Sequence, residues 1–226
     1  MDNYITFDNV RFCYGEVCAI KSVVFALQEK TLTALVGPNG GGKTTLIKLI
    51  AGLIKPDNGN IIRRDGMTVG YVPQIYRFDL SFPVTVKELV LMGTLCQKPR
   101  PFFRYGSLQN SAATDALKRV GLSGYALRGI SQLSGGQLRR AVIARALASD
   151  ADVIVLDEPD AGLDINAARE LYAVLGALKS DKTVIVSSHD INAVLSIADN
   201  AIYVSRTAHV FSSPEKLKER LKGGLS

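Results

Sequence analysis

The stretch Gly37-Pro38-Asn39-Gly40-Gly41-Gly42-Lys43-Thr44 constrains this chain more than any other. It fits G-x-x-x-x-G-K-[ST], a pattern in which a glycine-rich loop holds phosphate on its backbone amides. The run before it, Thr31 to Val36, is rich in β-formers, and the run after it, Thr45 to Ala51, is apolar at helical spacing. A glycine-rich turn that only caps a helix does not need that setting of strand, loop and helix. Glycines let the backbone curl until successive N–H groups face an anion, and the helix start adds the positive end of its dipole. Lys43 then supplies a charge for the β- and γ-phosphates, and Thr44 a hydroxyl for Mg²⁺.

With 226 residues the chain falls between one and two average domains, which suits a single domain carrying an inserted lobe. No uninterrupted apolar run approaches the roughly 20 residues of a membrane span. The start, Met-Asp-Asn-Tyr, lacks a basic then apolar leader, so a cytosolic chain is expected. Cys13, Cys18 and Cys96 make an odd count with no C-x-x-C, which argues for reduced thiols and against a disulfide frame or zinc knuckle. Two histidines exclude a histidine-rich metal store. The net charge of +6 is spread over dispersed residues and does not choose among nucleic acid, an anionic membrane face and nucleotide.

In chain order, Tyr4–Phe12 and Ser22–Gln28 read as strands, with Phe7, Val10, Phe12, Val24 and Leu27 as core candidates. Tyr14 lies between them, either stacked on a nucleotide base or an ordinary aromatic. Short strands are expected near Asn60–Arg64 and Thr68–Val72, the second ending in Pro73-Gln74. From Ile75 to about Ser149 prolines, aromatics and helical patterns indicate an inserted helical lobe. One helix carries Val86, Leu89 and Val90, and another carries Ala113, Ala116, Leu117 and Val120 and closes at Gly121. Leu133-Ser134-Gly135-Gly136-Gln137 follows, in which Ser134 and Gln137 form a capping box for a helix with Leu138, Ala141, Val142, Arg145 and Ala146 on one face. A capped start with two glycines is also an anion site.

Val153–Leu156 is a continuous apolar run and so a buried parallel strand, ending in Asp157-Glu158-Pro159. Carboxylates at the C-terminal edge of such a strand lie where open α/β sheets bind ligands, Asp157 for Mg²⁺ and Glu158 to orient or deprotonate a water. Asp164 starts another helix with Ala168, Leu171, Leu175 and Leu178. Thr183–Ser187 is the next buried strand, followed by Ser188-His189-Asp190, and its place beside the other strand ends favours a functional His189. A last helix near Ile191–Ala198, two strands near Ala201–Ser205 and Thr207–Phe211, and a charged helix opened by Ser213-Pro214 complete the chain.

Tyr14, Gly37 to Thr44, Gln74, Leu133 to Gln137, Asp157-Glu158, Asp164 and His189, in that order, resemble the ATP-binding subunits of ABC transporters along the whole chain. The resemblance implies an α/β phosphate-loop fold with a mostly parallel sheet, an N-terminal antiparallel β part and an inserted helical lobe. It implies one ATP-binding domain over 1–226, with a nucleotide-binding core at 1–74 and 150–226 and a helical subdomain at 75–149. ATP and Mg²⁺ are the implied cofactors: Gly37 to Thr44 and Thr45 hold nucleotide, Tyr14 stacks on adenine, and Thr44, Gln74 and Asp157 take the metal. Lys43, Glu158 and His189 are the implied catalytic residues, with His189 on the γ-phosphate. Leu133 to Gln137 would cover the ATP of a second copy in a head-to-tail homodimer, and Asp164 would communicate across it.

Further patterns, Tyr71-Val-Pro-Gln74, Phe82 to Val86, Leu91-Met-Gly93, Gln137-Leu-Arg-Arg140 and Ala161-Gly-Leu-Asp164, look like subunits that power import of zinc, manganese or iron. That likeness implies separate membrane permease subunits, indirectly a substrate-binding protein, a place on the cytoplasmic face of the membrane, and no nucleic acid. Apolar residues after Gln74, with Phe78, Phe82, Phe102 and Phe103 among them, are expected to form a groove for a membrane subunit's helix. Two departures stand out: Asp160 occupies a site usually small or aromatic, and Glu29-Lys30-Thr31 lacks the usual glycine. The alternatives are an ABC ATPase moving another solute, or a soluble ABC ATPase switch, which commonly carries two cassettes or a long coiled-coil insertion. A GTPase would need N-K-x-D, which this sequence lacks.

Overall fold

The computed structural model describes residues 3–74, 83–95 and 104–222. β1 (Asn3–Tyr14) and β2 (Val17–Gln28) form an antiparallel hairpin turned at Gly15-Glu16. Its inner face carries Phe7, Val10, Val23, Phe25 and Leu27, with the Phe7 and Phe25 rings stacked at 4.4 Å. Val24, expected in the core, is 60% exposed, because the pleat sends alternate residues outward and Val23 and Phe25 take the inward positions. Cys13 and Cys18, expected as free thiols, face each other across the hairpin and form a disulfide. Opposite register places the two side chains together whatever the parity of the cysteine count. Cys96 lies outside the described residues.

Lys30 precedes β3 (Leu32–Val36) with φ 54, so the position that lacks the usual glycine does take the left-handed conformation. α1 (Lys43–Ile50) leaves the phosphate loop, and β4 (Asn58–Arg63) joins the hairpin as a third strand in the order β2-β1-β4. β5 (Val69–Val72) enters the main sheet.

Three α-helices follow among the described residues. α2 (Val86–Leu91) is capped by Thr85, whose hydroxyl accepts the Glu88 amide while Glu88 accepts the Thr85 amide at 2.8 Å. α3 (Ser107–Arg119) ends before Gly121, whose φ of 70 stops it. α4 (Gly135–Ala148) is buried more widely than one face, since Ile143, Ala144 and Leu147 are covered as well as Ala141 and Val142. It packs on α2, α3 and β5 at once. The expected groove residues Phe78, Phe82, Phe102 and Phe103 lie outside the described residues.

β6 (Val153–Asp157), α5 (Ile165–Leu178), β7 (Thr183–Ser187), α6 (Ile191–Ile197), β8 (Asn200–Val204), β9 (Ala208–Phe211) and α7 (Pro214–Lys222) complete the fold. The sheet runs β5-β6-β7-β3-β8-β9, parallel except for β9. Both faces are covered. Val153, Val155 and Ile185 point toward α1 and the three-stranded sheet, whereas Ile154, Leu156, Val184 and Val186 point to the side of α4, α5 and α6. Double coverage explains why these strands read as unbroken apolar runs. Parallel pairing brings the C-terminal ends of β3, β6 and β7 to one edge.

Candidate nucleotide-binding site

The loop between β3 and α1 closes that edge. Gly37, Gly40 and Gly42 have φ of 147, 72 and 103, and a Cβ on Gly37 would strike the Val204 carbonyl. Only glycine allows that approach. Lys43 is buried, and its Nζ donates to the Gly37 and Pro38 carbonyls at 3.0 and 3.2 Å. Beside the loop lies an open cavity of about 490 Å³ whose lining includes Tyr14, Asn39, Thr45, Gln74, Glu158 and His189. Tyr14 is 52% exposed at its rim, with its ring edge-on to Phe12 at 4.9 Å.

At the end of β6, Asp157 is buried and accepts the Thr44 hydroxyl at 3.2 Å and the Ser187 hydroxyl at 2.9 Å. The Ser187 oxygen in turn accepts the Glu158 amide at 2.9 Å. Burial, then the charge of Asp157, pushes the Tyr71 phenol up, so it remains protonated behind the carboxylate. Glu158 has φ 47, a left-handed conformation that costs a non-glycine residue on the order of 1 kcal/mol or more. Its carboxylate lines the cavity. One oxygen accepts from the Gln74 amide, and the other lies 2.8 Å from His189 Nε2.

Gln74 and His189 meet on Glu158. Gln74, expected on the metal beside Thr44 and Asp157, directs its side-chain amide to Glu158. His189, expected on the γ-phosphate, stands against the same carboxylate, which the turn at Glu158 carries across to the end of β5. Thr44 and Asp157 are hard oxygen donors 3.2 Å apart, a set that fits Mg²⁺ next to the phosphate loop.

Leu133 to Gln137 do not line this cavity. Ser134 and Gln137 exchange the expected capping bonds, at 3.3 and 3.0 Å. Gly136 sits where a Cβ would lie 2.8 Å from that of Ala167, so α4 starts pressed against α5. Asp164 caps α5, taking the Asn166 and Ala167 amides at 2.9 Å. Sequence reasoning missed Ser187, for which a polar residue ending an apolar strand is a signal, and Arg139, for which none exists. Arg139 donates to the carbonyls of Gln74 at 2.8 Å and Ala161 at 3.3 Å.

A strand, phosphate loop and helix on a doubly covered parallel sheet, with carboxylates at the neighbouring strand end, define a phosphate-loop nucleotide-binding protein. The chain belongs to the ABC transporter family of ATP-binding cassettes, whose model matches residues 20–161. It is 34% identical to the zinc import ATP-binding protein ZnuC of Alcanivorax borkumensis, over 94% of this chain and 79% of that one. It is 38% identical to the manganese transport system ATP-binding protein MntB of Listeria monocytogenes, over 85% and 83%. Among solved structures, the ADP conformation of the ABC transporter cassette MJ1267 superposes with a TM-score of 0.87 at 25% identity, over 98% of this chain and 96% of that one. The dimeric bacterial cassette MJ0796 gives 0.75 at 28%, over 92% and 98%.

Proposed function

We propose that this chain hydrolyses ATP to drive import of a transition-metal ion, zinc, manganese or iron, through separate membrane subunits. The observation that carries hydrolysis is the clustering of Thr44, Glu158, Gln74 and His189 around one cavity at the phosphate loop, with Asp157 hydrogen-bonded to Thr44. The named relatives, a zinc and a manganese transport protein, favour the metal. No described helix is long and apolar enough to cross a membrane, which agrees with a subunit on the cytoplasmic face working through a permease and, indirectly, a substrate-binding protein.

In this reading the loop amides and Lys43 hold the β- and γ-phosphates, and Tyr14 stacks on the adenine. Thr44 and Asp157 hold Mg²⁺, which when bound offsets charge on the phosphates. Glu158 orients and deprotonates the attacking water, and His189 and Gln74 set its carboxylate. The division into a core at 1–74 and 150–226 and a helical subdomain at 75–149 goes with this reading, the packing of α2, α3 and α4 on one another supporting it. So does a homodimer in which Ser134 and Gly136 of one copy cover the ATP of the other. Their absence from this copy's own cavity and the dimeric MJ0796 cassette favour it. Asp164 would then pass contacts across the dimer.

The test is ATP-dependent uptake of zinc, manganese or iron into vesicles holding this chain with its membrane subunits. Uptake is expected from the wild type and not from Lys43→Ala, which should also lose MgATP affinity in a direct titration because Lys43 places its charge on the phosphates. ATP hydrolysis without uptake of any of the three ions would overturn the metal assignment. Unchanged affinity in Lys43→Ala would overturn the site.

A further inference from the structure

Behind His189, three side chains that the reading above leaves unused meet. Asp160 follows Glu158-Pro159, Tyr172 projects from α5, and Ser188 precedes His189. The Tyr172 and Ser188 hydroxyls reach the same oxygen, Asp160 Oδ2, at 2.9 and 2.8 Å, and lie 2.7 Å from each other. Ser188 Oγ also accepts the backbone N–H of Asp190 at 2.9 Å. That one hydroxyl is therefore tied to the backbone on both sides of His189 and, through Asp160, to the segment that carries Glu158.

Tyr172 and Ser188 are 5% and 2% exposed, and burial pushes the Tyr172 phenol up, so it stays a donor. The other Asp160 oxygen, Oδ1, is buried with no hydrogen-bond partner among the described residues. A buried unpaired carboxylate oxygen is unfavourable, so an apolar residue would serve packing better. What Asp160 gains in return is the pair of contacts on Oδ2.

We propose that Asp160 is a positioning residue for ATP hydrolysis: with Tyr172 it fixes Ser188, and through Ser188 it fixes the His189 imidazole against Glu158. The proposal rests on the reading of Glu158 and His189 as a hydrolytic pair. Asp160 is outside the lining of the cavity beside the phosphate loop, so it acts on turnover and not on nucleotide binding.

The test measures kcat and KM of the purified chain with MgATP by phosphate release, alone and in a His189→Ala background. Asp160→Ala should lower kcat roughly 10- to 100-fold with KM changed less than about 2-fold. Asp160→Asn, which keeps an acceptor oxygen, should recover most of the rate. In the His189→Ala background Asp160→Ala should cost nothing further, because residues that act through one another are not additive. Should Asp160→Ala fail to fold, Tyr172→Phe keeps the ring and drops one hydroxyl, and it should slow the wild type and leave His189→Ala unchanged. Additive losses, or a full-rate Asp160→Ala beside a slow His189→Ala, would overturn the inference alone. A full-rate His189→Ala would remove the hydrolytic pair and the inference with it.

Discussion

Glu158 Oε1 lies 2.8 Å from His189 Nε2, while the other carboxylate oxygen of Glu158 accepts from Gln74. Three segments far apart in the chain, the ends of β5, β6 and β7, thus converge on a single carboxylate whose backbone is held at φ 47. Strain kept at such a position needs neighbours that enforce it. Here the Ser187 hydroxyl on the Glu158 amide and the Ala161 amide on the Glu158 carbonyl do so.

For Glu158→Gln, shape is kept and basicity is lost. MgATP binding is expected to stay near wild type while turnover falls roughly 10²- to 10⁴-fold, the usual contribution of a general base. Stalled before cleavage, two copies should remain clamped around ATP and elute as a dimer on size-exclusion chromatography. Turnover near the wild-type rate would remove the base assignment, and a monomeric elution with MgATP would count against the ATP-bound dimer.

The phosphate loop, the buried parallel strands and the Ser134–Gln137 capping box were legible because each depends on residues a few positions apart, whereas the Thr85–Glu88 box came only with the structure. Val24 was not, since Val23-Val24-Phe25 is apolar throughout and offers no alternation from which to read a face. The Cys13–Cys18 bond was hidden behind an odd cysteine count, whereas register across the hairpin decided it. Asp160 was visible as a departure, but its partners lie 12 and 28 residues further on, where no local pattern points. The partner of Gln74 depended on the backbone turn at Glu158, which the residue type does not announce.

Tyr14 stands at the cavity rim, half exposed, with its ring and that of Phe12 in a T-shaped contact. Stacking uses the ring and not the hydroxyl. Tyr14→Ala should weaken ATP binding roughly 5- to 10-fold, of the order of one aromatic stack, and Tyr14→Phe should not. Equal losses in an ATP titration would assign the role to the hydroxyl.

Asp152 makes stability depend on pH. The Thr68 backbone N–H, and with a smaller effect its hydroxyl, hold the Asp152 carboxyl below the usual carboxylate range, against the opposing effect of burial. A carboxyl whose folded pKa is depressed stabilises the fold above its unfolded value, near about 3.9, and loses that contribution as pH falls through the folded value. Asp152→Ala should therefore cost at most about 1 kcal/mol at pH 7, because solvent screens so exposed a carboxyl, with the gap to wild type narrowing in acid below about pH 4. Thermal unfolding of the two proteins at both pH values checks this, and a gap independent of pH would assign the effect to packing.

Arg139 ties α4 to the hydrolytic edge from the outside. Its guanidinium donates to the Gln74 carbonyl at 2.8 Å and the Ala161 carbonyl at 3.3 Å, so one rigid fork holds the residue that touches Glu158 and the loop that follows Glu158. Lysine places a single ammonium there and cannot span two carbonyls in the same fixed geometry. Arg139 is not among the residues that line the cavity beside the phosphate loop. Arg139→Ala is therefore expected to keep ATP affinity within about 2-fold and to lower kcat roughly 5- to 50-fold, with Arg139→Lys in between, the pattern of a group that orders the reacting residues without binding substrate. Phosphate release and nucleotide titration on the same preparations separate the two quantities. A loss of affinity matching the loss of rate would place Arg139 in nucleotide binding, and a wild-type rate would leave the fork a packing feature of α4.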